Sequence, residues 1–226
     1  MKTLKSISIL SLLLLSIFFL ETCKPEDEAG KTYGPYTLGE ANDYLNFKPG
    51  SWWVYQHNKS GLYDTLVLKS ISIRSQTFTG KNTVIKDMVN MLIYSTTTGY
   101  EYKYYTLPPN PDAKPEILKK IFFQFRHGKS KPGDYQGETV SFYYPFDLTQ
   151  SGGGSPGESK YEGIDSILLI KGYYFNNVRR FRQEYDGCFS NKTAKYYWAK
   201  DVGLIKMGIP NTNEFWELIN FKILKQ

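Results

Sequence analysis

Two short runs in this sequence have the residue types of known catalytic or phosphate-binding motifs. The first, Gly153-Gly154-Ser155-Pro156-Gly157, has the Gly-x-Ser-x-Gly spacing of a nucleophile elbow. In that motif the residue after the serine donates its backbone N–H to an oxyanion, and Pro156 has no N–H. Both histidines of the chain precede Ser155, whereas the elbow's fold has its histidine last. We therefore interpret the run as a flexible loop.

The second run resembles the end of a phosphate-binding loop. Gly128-Lys129-Ser130 matches its last three positions, but Phe123 stands where the loop requires its first glycine. The two histidines, His57 and His127, form no pair at the spacing of a zinc site. We interpret the run as a basic turn, and we expect neither a metal site nor a cofactor.

Acidic residues leave one enzymatic alternative open. The chain has 22 Asp and Glu residues, which is enough for a glycosidase-type carboxylate pair. Their spacing singles out no pair. The leading prediction is a protein that is not an enzyme, and a carboxylate-dependent hydrolase acting on a surface polysaccharide is the alternative.

Aromatic residues are the strongest hint of a binding function. The chain has 19 Tyr, 14 Phe and 4 Trp, several of them in clusters such as Tyr173-Tyr174-Phe175. Exposed aromatic rings on a strand provide platforms for sugar rings, whereas buried rings fill a core. Trp52, Trp198 and Trp216 are the candidate ligand-binding residues, while Trp53 shares a strand face with Tyr55 and is expected in the core.

These residues must be positioned by strands, because most apolar segments alternate with a period of two. Residues 53–57, 121–126, 140–144 and 178–183 alternate in this way, and residues 66–73 change parity at Ser70, which indicates a bulge. In the last segment Phe215, Ile219, Phe221 and Ile223 are expected to share one face. Turn signals at 58–61, 79–82, 131–134 and 186–187 separate the segments.

The pattern predicts an all-β fold, a curved antiparallel sheet that forms a half-barrel, a barrel or a sandwich. Helix is scarce, with one or two short helices predicted at Leu38–Phe47 and Pro115–Lys120. Gly203 is expected to allow a tight bend before Leu204, with aromatic residues of the first strand packed beneath it.

The amino terminus has the layout of a secretion signal. Lys2 and Lys5 precede the apolar run Ile7–Leu20, whose 14 residues fall short of the roughly 20 needed for a permanent transmembrane helix. Cys23 follows the run. We predict cleavage after residue 22, a disordered tether over residues 23–36 and a single β-rich domain over residues 37–226.

The net charge and the cysteine content further narrow the possible classes of protein. The net charge of +6 is spread along the chain without a basic stripe, so we expect no nucleic-acid partner. The chain has two cysteines. If Cys23 carries lipid, Cys188 has no partner for a disulfide, and we expect it to be a buried structural residue.

Leu20-Glu21-Thr22-Cys23 resembles the bacterial lipobox, although Glu21 and Thr22 replace its usual small residues. That resemblance implies cleavage before Cys23 and a membrane anchor through lipid on the cysteine. The acidic run Glu26-Asp27-Glu28 resembles the export signal of Bacteroidetes surface lipoproteins. The resemblance implies the outer membrane as the location, facing the cell exterior, and the periplasmic face stays open as an alternative.

Two longer segments resemble Bacteroidetes lipoproteins of unknown function. Tyr44–Tyr55 resembles the "phe-x-pro-gly-x-x-trp-x-tyr" opening of their mature domains, and Tyr197–Lys206 resembles their "ala-lys-x-val-gly-leu-val-lys" hairpin. The two segments bracket a single domain and carry no catalytic residue. We therefore predict a membrane-anchored lipoprotein whose concave sheet is a non-catalytic binding or structural module for a glycan, lipid or protein.

Overall fold

The computed structural model of the chain describes residues 30–99, 101–106, 108–113, 121–128, 137–144, 151–152, 159–185 and 192–225. The chain divides into two compact units, Met1–Lys31 and Thr32–Gln226. The second unit contains all the strands described below, so the fold is that of the unit that begins at Thr32.

The described residues form thirteen strands and two short 3-10 helices. The strands are β1 (Thr32–Tyr36), β2 (Trp52–His57), β3 (Tyr63–Thr79), β4 (Thr83–Ser95), β5 (Glu101–Thr106), β6 (Ile121–Gly128), β7 (Gly137–Tyr144), β8 (Ser151–Gly152), β9 (Ser159–Ile170), β10 (Tyr173–Tyr185), β11 (Lys192–Ala199), β12 (Gly203–Ile209) and β13 (Glu214–Lys222). The helices are Gly39–Tyr44 and Pro210–Thr212. The prediction of a mainly β fold is confirmed.

All strands belong to one sheet, which curls into a half-barrel. Strands β2 to β7 form one antiparallel meander and strands β8 to β13 form another, and the two meanders meet where β2 pairs with β13. The sheet is mixed, because β1 pairs with β4 in the parallel direction. The predicted antiparallel arrangement is confirmed for every pairing of the described strands except that of β1 with β4.

Strand β1 also shortens the predicted tether. Thr32 pairs with Thr83 and Tyr36 pairs with Lys86, so residues 32–36 belong to the sheet rather than to a linker. Between them, a Cβ atom on Gly34 would collide with the carbonyl oxygen of Ile85. Only glycine allows this close approach of the two backbones. The expectation of a tether over residues 23–36 is therefore wrong for its last five residues.

Several local predictions are confirmed. The β3–β4 register shifts between Leu68 and Ser70, as the parity change in the sequence indicates. Turns separate β2 from β3 and β3 from β4 at the predicted positions. The segment Leu38–Phe47 contains the 3-10 helix Gly39–Tyr44. The predicted helix at Pro115–Lys120 and the predicted turns at 131–134 and 186–187 lie outside the described residues.

One core fills the space inside the curled sheet. Trp53 and Tyr55 are buried, as expected, and side chains of the segment around the first 3-10 helix complete the same cluster. The Trp53 Nε1–H donates to the Val202 carbonyl at 2.7 Å, and the Tyr55 hydroxyl donates to the Leu204 carbonyl at 2.6 Å. These bonds satisfy polar atoms that burial would otherwise leave without partners.

Gly203 lies directly above these aromatic rings. Its backbone φ is +92°, and a Cβ atom there would approach the Phe47 ring to 3.2 Å. Glycine is required both by the left-handed conformation and by the close ring. The predicted role of Gly203 is confirmed.

The last strand departs from its predicted pattern. The β13–β2 register shifts between Leu218 and Asn220, so that Leu218 is fully buried opposite the buried Tyr55. Because this bulge changes the parity within the strand, Phe215 and Phe221 do not continue one face as a regular strand would. The prediction of a single apolar face from Phe215 to Ile223 is wrong.

Candidate functional site

Among the described residues, the core side chains of the half-barrel fill the space between them almost completely. The cavity lined by core residues such as Trp53, Tyr104 and Trp198 measures about 20 Å³. A void of this size accommodates about one water molecule. The expectation that the concave sheet holds a ligand stays a prediction, and a larger groove among the described residues lies at the rim.

A rim site is built by the hairpin of β9 and β10. Its two-residue turn consists of Lys171, with φ +49°, and Gly172, with φ +90°. Left-handed conformations at both turn residues match the twist of the flanking strands. The Lys171 ammonium lies 3.6 Å from a Glu217 carboxylate oxygen, which places the hairpin tip beside β13.

Three aromatic rings pack together where the hairpin meets β13. The Tyr173 and Phe221 ring centroids are 5.5 Å apart, and the Phe175 ring lies 6.2 Å from Tyr173 and 6.0 Å from Phe221. Phe175 is buried and forms the base of the cluster, whereas Tyr173 is 39% exposed and the adjacent Tyr174 is 74% exposed. Packed rings below thus fix the orientation of the exposed Tyr173 ring.

The turn between β11 and β12 forms the opposite wall. Lys200 pairs with Asp43 at 2.9 Å, and Lys225 donates a 2.8 Å hydrogen bond to the Asp201 carboxylate. The hydrogen bond to Asp43 raises the pKa of Lys200. The Asp201 backbone N–H also donates to the Asp43 carbonyl at 2.8 Å. The wall is therefore held in position, and its charges occur in opposite pairs.

Together these elements enclose an open groove of about 340 Å³, here called the aromatic groove. It is lined by Tyr173, Tyr174, Phe175, Asn176, Asn177, Lys200, Asp201, Val202 and Phe221. Both asparagines are exposed, and Asn177 is held in a left-handed conformation while its carbonyl accepts a hydrogen bond from the Tyr44 hydroxyl at 3.3 Å. The groove thus combines exposed rings with amide donors and acceptors.

The structure separates the three tryptophans that the sequence suggested. Trp198 is 4% exposed and packs edge-on against Tyr104 at 5.4 Å, so its assignment to an exposed ligand platform is wrong. Trp52 is half-buried and pairs with Lys222 at one end of β13. Trp216 is half-buried at the other end, with its ring 5.1 Å from His57. None of the three lines the aromatic groove.

Two sequence signals could have located the groove. The cluster Tyr173-Tyr174-Phe175 is visible in the sequence, and Lys171-Gly172 between two apolar runs indicates a tight hairpin turn. No signal in the sequence indicates that the sheet curls and brings Phe221 beneath this hairpin. Cys23, Ser155 and Cys188 lie outside the described residues, so the predicted lipid anchor stays a prediction.

None of the helices in the described part of the chain has the length and hydropathy that a transmembrane span requires. Comparison of the chain with protein families, with curated proteins and with solved structures gives no match.

Proposed function

We propose that this protein is a membrane-anchored surface lipoprotein that binds a glycan at the aromatic groove without catalysing a reaction. The observation that carries the proposal is the pair of exposed tyrosines, Tyr173 and Tyr174, beside exposed amides and paired charges. Exposed apolar side chains that lie next to one another, unlike single ones, mark a candidate interaction site.

The chemistry of the groove suits a sugar. The apolar C–H face of a sugar ring stacks on an aromatic ring, while its hydroxyls take hydrogen bonds from amides and charged side chains. Within the described residues the hydroxyls of Tyr173 and Tyr174 have no protein hydrogen-bond partner, which leaves them for a ligand. Phe175 and Phe221 already hold Tyr173 in place, so little side-chain order is lost on binding.

The charges of the groove favour a neutral glycan. Lys200 and Asp201 are each paired with an opposite charge, Asp43 and Lys225 respectively. A charged sugar would have to displace one of these partners, whereas a neutral sugar can bind to the groove as it stands. We therefore expect uncharged hexose units to bind better than uronic acids.

The proposed anchor is lipid on Cys23. Each buried methylene contributes about 0.8 kcal/mol to membrane attachment, so one chain binds weakly and several chains hold firmly. Thr32, where β1 begins, lies nine residues beyond Cys23, a reach of at most about 30 Å. This length holds the domain close to the membrane while leaving it free to meet extracellular glycans.

A glycan-array screen with residues 24–226 tests the binding function. We expect selective binding to one class of neutral glycan, lost in Tyr173→Ala and Tyr174→Ala. Tyr63→Ala is the matched control, because Tyr63 is 54% exposed but lies outside the groove. Equal loss in the control, or no binding by the parent chain, contradicts the proposal. Release of reducing ends from the bound glycan supports the carboxylate-dependent hydrolase instead.

Metabolic labelling tests the anchor separately. We expect palmitate incorporation into the full chain, inhibition of signal cleavage by globomycin, and loss of label in Cys23→Ser. Persistent labelling of Cys23→Ser would show that the lipid, if present, is attached elsewhere.

A further inference from the structure

The hairpin of β9 and β10 carries most of the exposed apolar surface in the described part of the chain. Five of the seven large exposed apolar side chains belong to it, and three of these five are on β9. Ile164, Ile167 and Leu169 are 44%, 62% and 55% exposed. Such side chains are costly to leave in water, and Ile167 and Leu169, two residues apart on one face of β9, form an exposed apolar patch of the kind that marks an interaction surface.

Strand β9 also presents an edge of the sheet. On the side away from β10, the described residues pair with β9 only where Ser151 meets Lys160 and Gly152 meets Ser159. Beyond Lys160, no described strand forms a ladder with this side of β9. An exposed edge with apolar side chains is a template for another strand.

The hairpin register determines which backbone groups point outward. Ile170 pairs with Tyr173 across the two-residue turn, and the ladder continues through Leu168 with Phe175. In an antiparallel ladder the residues beside a two-residue turn are hydrogen-bonded to each other, and the alternate residues point their N–H groups away. Asp165, Ile167 and Leu169 therefore direct their backbone N–H and C=O groups to the open edge.

We propose that β9 pairs with β9 of a second copy of this chain, antiparallel and related by a two-fold axis at Leu168. In this register Ile167 lies opposite Leu169 of the second copy, and Leu169 lies opposite Ile167 of the second copy. Both pairs bring the outward backbone groups face to face, as a hydrogen-bonded ladder requires. Apolar cross-strand pairs of this kind stabilise a sheet.

Charge complementarity selects this register over its neighbours. It brings Asp165 opposite Lys171 of the second copy, twice by symmetry. Moving the register by two residues brings Asp165 opposite Leu169 of the second copy, which removes the ion pair and exposes an apolar side chain to a carboxylate. Among the described residues of one chain, Asp165 and Lys171 have only long ion pairs, 3.4 Å to Arg180 and 3.6 Å to Glu217, which leave both able to contact the second copy.

The strand belongs to the same hairpin as the aromatic groove, but the pairing does not depend on what the groove binds. If the groove binds a glycan, the two-fold pairing would give each assembly two grooves and a gain in avidity for a repeating polymer. The mass of the assembly is measured without glycan, so a failed glycan screen leaves the test of pairing intact.

Light scattering of the full chain in detergent, with the protein mass separated from the detergent mass, tests the pairing. We expect twice the chain mass for the parent protein and a two-fold fall in mass for Ile167→Lys, which brings a charge opposite Leu169 of the second copy. The matched control is Leu62→Lys, because Leu62 is 63% exposed in the turn between β2 and β3 and should leave the mass unchanged. A monomeric parent chain, or a dimer that survives Ile167→Lys, overturns the proposal.

A second pair of variants tests backbone pairing and register. Ile167→Pro removes an outward N–H without removing a hydrogen bond to β10, so we expect a folded monomer. Leu168→Cys should form an intermolecular disulfide, because residues on the two-fold axis of a non-hydrogen-bonded pair lie about 4.5 Å apart. Cross-linking no greater than that of the parent chain, with its two native cysteines, overturns the register. If the chain is a monomer and binds an extended peptide along β9, the edge pairs with a peptide and the proposal of a second copy is overturned.

Discussion

Two sets of aromatic residues in this molecule use the same chemistry for different purposes. In the core, Trp53 packs edge-on against Phe47 at 5.3 Å, and both Trp53 and Tyr55 donate their polar hydrogens to backbone carbonyls. In the aromatic groove, Tyr173 is 39% exposed and packs against Phe175, and the adjacent Tyr174 is 74% exposed. The comparison teaches that hydrogen bonding and burial, rather than residue type, separate structural aromatic residues from candidate binding residues.

The largest effect that would test this contrast is expected in the core. Trp198→Ala removes a ring that is 4% exposed, and we expect the free energy of unfolding to fall by about 3–5 kcal/mol because a cavity is left behind. Urea denaturation followed by circular dichroism measures the change. A loss below about 1 kcal/mol, the size usual for surface positions, would contradict the assignment of Trp198 to the core.

The second largest effect is expected from the loss of one buried hydrogen bond. Tyr55→Phe removes the 2.6 Å hydrogen bond to the Leu204 carbonyl while keeping the ring. Because the buried carbonyl then lacks this partner, we expect a loss of about 1–3 kcal/mol. The matched control is Tyr173→Phe in the groove, which should leave the urea midpoint unchanged. Equal effects at both positions would remove the distinction between the two sets.

A third test uses alkaline pH. Burial raises the pKa of Tyr55 and of Tyr104 above the ordinary value of 10.0, with nearby Asp64 adding to the effect on Tyr55. Above pH 10 the unfolded chain therefore binds fewer protons than the folded chain, and stability falls as pH rises. We expect a loss of about 1 kcal/mol per tyrosine per pH unit just above pH 10, with a smaller slope in Tyr55→Phe. A urea midpoint that stays flat from pH 9 to 11 would contradict burial of these hydroxyls.

The smallest stability effect is expected in the groove itself. Tyr174→Ala removes a side chain that is 74% exposed, so we expect the free energy of unfolding to change by no more than about 0.5 kcal/mol. The same variant should abolish glycan binding. If Tyr174→Ala unfolds the domain, the residue is structural, and the contrast between the two sets fails.

Period-two alternation was enough to predict strands such as β2, β6 and β10, the core positions of Trp53 and Tyr55, and the bulge before Ser70. The prediction for Trp198 failed because alternation shows which residues share a face of the strand. It does not show which of the two faces is buried when the sheet curls. A register shift between Tyr197 and Trp198 further disturbs the pattern there. The bulge after Leu218 in β13 has no comparable signal in the sequence.

The candidate site was harder to predict than the fold. Each wall of the aromatic groove comes from a different part of the chain, with Tyr173 on β10, Asp201 between β11 and β12, and Phe221 on β13. Only the closure of the sheet brings them together. Likewise, residues 32–36 were expected to belong to the tether, whereas their pairing as β1 with β4 depends on a distant strand.

The pairing of β2 with β13 has a consequence for how the chain acquires its structure. The ladder between these two strands pairs His57 with Trp216, so β2 cannot complete its hydrogen bonds until β13 is present. Contacts between such distant parts of the chain slow folding, because a long loop must close before they stabilise the chain. Each meander can form from its own segment of the chain, but the two can join only when β13 is present. Truncation within β13 would therefore leave two half-sheets with exposed edges, a state prone to aggregation.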